Sequence, residues 1–473
     1  MKKYTSLLFL VFAVQISYSQ LTAFSPTSGM SGSDFGTAVA ISNHDILVSS
    51  ISDITSPGKV YLFDTTNGIE QIQTFYPDDA LSTDAFGRTF SIAGDFIFIG
   101  APLHDAVFEN AGAAYIYKRT AGNWSFAQKL VLPDANANDN FGSNIEIFGD
   151  YLFISATKDE PAGDSVNRDK GSVSVYKWNG SEWDYSQQLT IAMPTTSGIN
   201  DGHLGQHISY FNNVLQVSTS YGFATYVLAA DSWVMQSYYT NMMWDGAGIG
   251  DFCYVGNKEY VITTYPAVYC SVDCWEYING SWTHQDAAEL DYWSEESRGQ
   301  SWSVVRACND KIFVGSNYYS DFIDPAPRKF PLRYYRNINN QLVFQTALYG
   351  DGPENTDDYF GSAMAVSGDY LVVGAPKEGN GKAYTINTTL LAAPTFAKNT
   401  VSIYPNPTND VLHLKHGPNV VIAKASVYSV AGNLLFETQD TDAISLRNLA
   451  GGVYIVKLTC NDGSIQNIKA IKQ

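Results

Sequence analysis

The sequence predicts an all-β chain, and three observations carry that prediction. A cassette of a Phe-Gly pair, a short apolar run, a Gly-Asp turn, a second apolar run and Gly-Ala-Pro recurs along most of the 473 residues. It reads DAFGRTFSIAGDFIFIGAP from Asp84, DNFGSNIEIFGDYLFISAT from Asp139 and DYFGSAMAVSGDYLVVGAP from Asp358. The runs are four to six residues long, rich in Val, Ile, Phe and Tyr and bounded by Gly, Asp, Asn and Pro, a pattern of short strands rather than helices. A unit repeated in this way buries its core only against its neighbours.

Aligned on the second residue of the pair, the copies start at Gly36, Gly87, Gly142, Gly205, Gly248, Trp302 and Gly361, at intervals of 51, 55, 63, 43, 54 and 59 residues. Each offers four strands, as in TFSIA, FIFIG, AAYIYKR and WSFAQKLVL of the second copy. Four-stranded units repeated seven times predict a seven-bladed β-propeller over residues 20–388, because radial stacking protects the sheet edges. The last copy supplies only three strands, ending at GKAYTIN, whereas QLTAFSP from Gln20 precedes the first copy and stands where QKLVLPD precedes the third. The N-terminal strand is therefore expected to complete the seventh blade and close the ring. Trp124, Trp183, Trp233 and Trp282 recur at one place in successive copies, as structural residues would.

These cassettes resemble FG-GAP repeats, the unit of the propeller in integrin α chains and many bacterial surface proteins. The integrin form often carries an Asp-x-Asp-x-Asp-Gly calcium loop between the first two strands. Here that place holds a two-residue turn such as Gly94-Asp95, so the resemblance does not imply calcium of that kind.

The ends frame the repeats. Residues 1–19 read as a secretory signal peptide: Lys2 and Lys3, the apolar run LLFLVFAV, then Ser17-Tyr18-Ser19. No stretch approaches the roughly 18 apolar residues of a membrane-spanning helix, so no transmembrane segment is expected in the mature chain. After a linker at 389–399, residues 400–473 alternate strands and turns and predict a small β-sandwich. This segment resembles the C-terminal sorting domain of the type IX secretion system of Bacteroidetes. The matching positions are Pro405, Asn406 and Pro407, Gly432, and Gly451, Gly452 and Tyr454 in GGVYIVKL. The resemblance implies the type IX secretion machinery as partner and an extracellular or outer-membrane-surface location.

A net charge of −19, from 47 acidic and 28 basic residues, repels the nucleic-acid backbone and excludes that partner. Of five cysteines, Cys253, Cys270, Cys274 and Cys308 fall in copies five and six. Cys270 and Cys274 flank SVD between two expected strands, so a loop-stapling disulfide is anticipated, with zinc as the rival reading.

The loops expected on one propeller face are acidic, with Asp84, Asp139, Asp159 and Asp358 among them. This suits a cation or cationic ligand, or simply turn residues that cap backbone amides. The calcium candidate is Asp134, Asn136, Asn138 and Asp139, whose alternating oxygen side chains resemble half a calcium loop but lack its sixth-position Gly and closing Glu. The degenerate copies place Trp244, Asp245, Tyr292, Trp293, Glu295, Glu296 and Arg298 in adjacent loops. Aromatic faces beside carboxylates suit an extracellular glycan or protein ligand. No catalytic constellation is recognised: His203-x-x-x-His207 falls on a loop and a strand, and no Gly-x-Ser-x-Gly occurs. The expected function is a secreted or surface binding and adhesion module; the alternative is a polysaccharide-active hydrolase or lyase using carboxylates on the propeller face.

Overall fold

The computed structural model describes residues 21–27, 34–51, 57–160, 169–191, 202–220, 222–240, 248–265, 269–278, 281–292, 300–319, 331–352, 358–392, 402–415, 422–429, 433–439, 443–460 and 465–473. The chain divides into two compact units, Met1–Thr389 and Leu390–Gln473. Both are built of strands, with one short 3-10 turn at Leu390–Ala392 among the described residues.

The first unit opens with β1 (Leu21–Phe24). A first sheet follows from β2 (Val39–Ser42), β3 (Asp45–Ser50), β4 (Lys59–Asp64) and β5 (Glu70–Phe75). The second holds β6 (Phe90–Ala93), β7 (Phe96–Ala101), β8 (Ala113–Thr120) and β9 (Asn123–Leu130). The third holds β10 (Phe141–Phe148), β11 (Tyr151–Ala156), β12 (Ser172–Trp178) and β13 (Trp183–Leu189). The fourth holds β14 (Ile208–Phe211), β15 (Val214–Thr219), β16 (Gly222–Ala229) and β17 (Ser232–Thr240). The fifth holds β18 (Gly248–Val255), β19 (Lys258–Tyr265), β20 (Tyr269–Ile278) and β21 (Ser281–Tyr292). The sixth holds β22 (Gln300–Cys308), β23 (Lys311–Tyr319), β24 (Leu332–Ile338) and β25 (Gln341–Leu348). The seventh holds β26 (Ala363–Ser367), β27 (Tyr370–Ala375) and β28 (Lys382–Asn387), with β1 added beside β28. In that pairing Leu21 faces Ile386 and Phe24 faces Ala383, antiparallel.

Alternation along a strand explains the composition of the second run in each copy. Ile97 and Ile99 of β7 pack with Leu47, Val60 and Leu62 of the first sheet, whereas Phe98 between them packs with Ile145 and Ile154 of the third. The strand is buried on both faces, so every residue of FIFI is apolar. First strands touch in sequence, β2 with β6, β6 with β10, β10 with β14, β14 with β18, β18 with β22, β22 with β26, and β26 with β2. Between third and fourth strands the register shifts at Leu62/Phe63, Ile116/Tyr117, Val175/Tyr176, Thr225/Tyr226, Cys274/Trp275 and Tyr334/Tyr335. A bulge at one place in six sheets bends and twists each fourth strand alike.

The Phe-Gly pair and Gly-Ala-Pro meet across sheets. Phe86 and Phe360 are fully buried, edge-on to Tyr115 and Tyr384 of their own sheets at 5.4 and 5.2 Å. The adjoining glycine lies against a glycine within the preceding sheet's second strand. A Cβ on Gly100 would stand 2.2 Å from the Gly142 carbonyl, one on Gly315 2.0 Å from that of Gly361, and one on Gly374 2.0 Å from that of Gly36. Backbone contact at this range admits only glycine.

The second unit has β29 (Ser402–Tyr404), β30 (Val411–Lys415) and β33 (Ala443–Ser445) in one sheet. The other runs β32 (Leu434–Thr438), β31 (Ile422–Ser429), β34 (Gly452–Cys460), β35 (Ile465–Lys472). Leu412 and Ile444 of one sheet and Val427, Val456 and Leu458 of the other share a single apolar core.

One sequence expectation is corrected here. Cys270 and Cys274 do not flank a turn; both lie within β20, which pairs without interruption from Tyr269 to Glu276 along β19. Four residues of extended chain separate their Cα atoms by about 13 Å, beyond the roughly 7 Å limit for a disulfide. The segment YCSVDCW is strand throughout, with no break at Ser271-Val272-Asp273.

Candidate functional site

A cavity of about 710 Å³ lies among the first strands of all seven sheets, lined by Val39, Phe90, Glu146, Ser209, Asp251, Arg306 and Met364, among others. Its acidic and basic lining comprises Arg88, Glu146, His207, Asp251 and Arg306. Asp251 on β18 is 3% exposed and is the hub. Its Oδ1 accepts from the Phe252 amide at 2.9 Å and meets His207 Nδ1 at 3.2 Å. Its Oδ2 accepts from the Val305 amide at 3.2 Å and from the Arg306 guanidinium. A carboxylate only accepts, so His207 Nδ1 carries a proton toward Asp251.

Burial alone would raise Asp251, but Arg306, His207 and the amides hold it at about 2. Glu146 on β10 shows the opposite. Burial pushes it up to about 7, only partly offset by Arg306. One cavity thus holds a carboxylate fixed in its charged form and a carboxyl group poised to exchange a proton near neutrality. Behind it, Glu259 is 4% exposed and is raised to about 7 by burial, against donation from Gln216 Nε2 at 2.6 Å and contact with the Tyr254 hydroxyl at 3.0 Å.

Sequence reasoning missed this cluster. Its members are spread from residue 88 to 306, one per copy, each within or just before a first apolar run. A charged residue in a run otherwise buried was the available signal.

The expected loop site falls largely elsewhere. Trp244, Asp245, Trp293, Glu295, Glu296 and Arg298 lie outside the described residues, and of Tyr292 only the backbone is described, ending β21 opposite Tyr269. His203 and His207 do not converge: His203 Nδ1 meets Ser220 Oγ at 3.0 Å while His207 turns to Asp251. Trp124, Trp183 and Trp233 are buried, at 7, 3 and 4% exposure.

Asp134, Asn136, Asn138 and Asp139 do not form a ring of converging oxygens. Asn136 donates to the Asp134 carbonyl, Asn138 Oδ1 accepts from Asn110, and Asp139 Oδ2 accepts the Asn136 amide. Among the described residues no three His, Cys, Asp or Glu side chains are grouped to hold a metal ion.

In the second unit, Asn406 between Pro405 and Pro407 donates to the Lys469 carbonyl at 2.7 Å and accepts from the Ile471 amide at 2.9 Å. The Tyr454 hydroxyl donates to the Ala450 carbonyl at 2.6 Å, just before Gly451 and Gly452. Gly432 lies outside the described residues.

Comparison with known families agrees with this construction. Residues 402–473 match the secretion system C-terminal sorting domain, and residues 69–117, 124–176 and 351–386 match the FG-GAP repeat. The chain carries FG-GAP repeats and, at its C-terminal end, a type IX sorting domain, which directs export to the cell surface or the extracellular space. No helix among the described residues is long and apolar enough to cross a membrane.

No curated protein matches the chain in sequence. Among solved structures, the periplasmic gluconolactonase of Pseudomonas aeruginosa is similar at 15% identity and TM-score 0.46, covering 72% of this chain and 96% of its own. The β-propeller domain of Cps50 (Swd1) from Myceliophteria thermophila is similar at 10% and 0.49, covering 77% and 98%. Neither likeness carries an inference about chemistry.

Proposed function

We propose that the seven sheets are the blades of one closed propeller, and that the exported protein is a binding module whose ligand enters the axial cavity. Closure is supported by the cycle of first-strand contacts returning from β26 to β2, by the addition of β1 to the seventh sheet, and by the meeting of Gly374 with Gly36. The binding reading rests on one observation: five titratable side chains, Arg88, Glu146, His207, Asp251 and Arg306, line a polar cavity of about 710 Å³. Donors and acceptors around one space suit a hydroxyl-rich ligand such as a glycan end. The loops carrying Trp244 and Trp293 are proposed as its outer platform.

The test is a glycan-binding screen of the full chain beside Glu146→Gln, His207→Gln, Trp244→Ala and Trp293→Ala. Loss in the first two places the ligand in the cavity. Loss confined to the Trp variants moves the site to the loops, and no binding by a folded wild-type chain overturns the reading.

The alternative, a polysaccharide-active hydrolase or lyase, is favoured by a different observation. The cavity holds Glu146, raised to about 7 by burial, and His207 oriented by Asp251, two groups able to move protons. Turnover of oligosaccharides with a bell-shaped pH profile, abolished in both cavity variants, would favour it over binding alone.

A further inference from the structure

We propose that Asp139 and Asp159, beneath the loop that opens the third sheet, hold a hard divalent cation of the calcium class. The proposal stands apart from the axial cavity and is carried by a comparison among the repeats. Three pairs occupy one position. The Leu103, Lys158 and Lys377 amides donate to the Asp84, Asp139 and Asp358 carbonyls at 3.2 Å each, and the next amides, of His104, Asp159 and Glu378, donate to Ala101, Ala156 and Ala375. His104, Asp159 and Glu378 are therefore presented alike, each beside the buried Asp that precedes its Phe-Gly pair.

The repeats differ in counter-charge. In the second sheet Asp84 Oδ2 meets His104 Nδ1 at 2.7 Å, and Lys129 Nζ lies 2.7 Å from His104 Nε2 and 2.6 Å from Asp79. In the seventh, Glu378 accepts from Lys382 Nζ at 2.7 Å and from the Tyr384 hydroxyl at 2.6 Å. The third sheet has neither cation. Asp159 replaces His104, and Gln188, five residues after Trp183, replaces Lys129, five after Trp124.

What remains is two buried acids in one neighbourhood, the Asp159 charge being among those that raise Asp139. Asp139 and Asp159 are 1 and 0% exposed, and among the described residues no Lys, Arg or His pairs with either. Gln188 donates to Asp159 Oδ2 at 2.8 Å, but Asp159 Oδ1 is buried without a hydrogen-bond partner. Burial raises both carboxyl groups, to about 7 and about 6, with Asp134 and Glu160 adding negative charge and hydrogen bonds from the Asn136 amide to Asp139 and from Ser172 and the Glu160 amide to Asp159 opposing the rise. Two buried carboxylates without a counter-charge are costly, and a cation between them removes the cost. Calcium takes six to eight oxygens, including carbonyls and water, so two carboxylates suffice as its anionic ligands.

The test is calorimetric titration of the full chain, stripped with chelator, with calcium chloride alone, and thermal unfolding with and without it. Saturable binding and a rise in Tm of at least about 2 °C are expected. The double variant Asp159→His/Gln188→Lys, which copies the cations of the second sheet, should lose the calcium shift. Asp159→Asn, which keeps an acceptor for Gln188, serves if the double variant does not fold, and should also lose it. A wild-type chain that ignores calcium and loses stability as pH rises through neutrality overturns the proposal in favour of a shared proton. A calcium shift retained in the variants overturns it by placing the ion elsewhere.

Discussion

Gln187 clasps the backbone of Trp233 in the next sheet with both ends of its amide: Nε2 donates to the Trp233 carbonyl at 2.9 Å and Oε1 accepts from the Trp233 amide at 2.7 Å. Gln128 does the same to Trp183 at 3.1 and 3.0 Å, and Gln73 donates to the Trp124 carbonyl at 3.2 Å. The recurring Trp thus marks where one fourth strand is tied to its neighbour. Gln187→Ala leaves two backbone groups unpaired there and should lower stability by about 1–3 kcal/mol, read from the midpoint of denaturant unfolding. A loss below experimental error would show that water replaces the clasp.

Gly374→Ala should cost about 1–3 kcal/mol or more, because its Cβ would stand 2.0 Å from a carbonyl that cannot swing away. The third sheet gives the internal comparison. Ser155 already carries a side chain at that place, and its partner Gly205 absorbs it. Unfolding followed by tryptophan fluorescence checks the cost.

Glu259 gives a pH signature. Its folded value, about 7, lies above the ordinary carboxyl value, so the folded chain binds this proton more tightly than the unfolded chain does. The associated stability is complete below pH ~4.5 and falls as pH rises through about 7. Glu259→Gln keeps an acceptor for Gln216 Nε2 and removes the charge. It should raise stability by about 1–3 kcal/mol at pH 8 and leave it unchanged at pH 4.

Asp251 has the opposite sign. Held at about 2, below its unfolded value, it contributes stability that is present above pH ~4 and is lost as pH falls through about 2. Asp251→Asn removes the partner of Arg306 and the anchor of His207, and should cost about 3 kcal/mol at pH 7. The gap between variant and wild type should close in acid, which urea titrations at several pH values would show.

Much of the architecture could be read from residue order, because an FG-GAP cassette names its own contacts: buried Phe, touching glycines, strands apolar on both faces. The sorting domain was legible for the same reason, its Pro405-Asn406-Pro407 segment and the Gly451-Gly452 entry to the last hairpin being local. What escaped was whatever depends on assembly. Glu146, His207, Asp251 and Arg306 have no spacing in common, and only the convergence of first strands brings them to one cavity. The charge deficit around Asp159 was invisible in its own repeat and emerges only when His104 and Lys129 are set beside it. Cys270 and Cys274 were misjudged because Ser271-Val272-Asp273 between them sits in mid-strand.

The pairing of Leu21 with Ile386 also sets an order in time. The strand made first has its partner 365 positions away (386 − 21) and must wait, unpaired, until nearly the whole repeat array exists. Contacts at such separation form late, so this sheet is the seam of the molecule. Its two ladders, β1 with β28 and β28 with β27, are where hydrogen exchange and proteases should find the first opening.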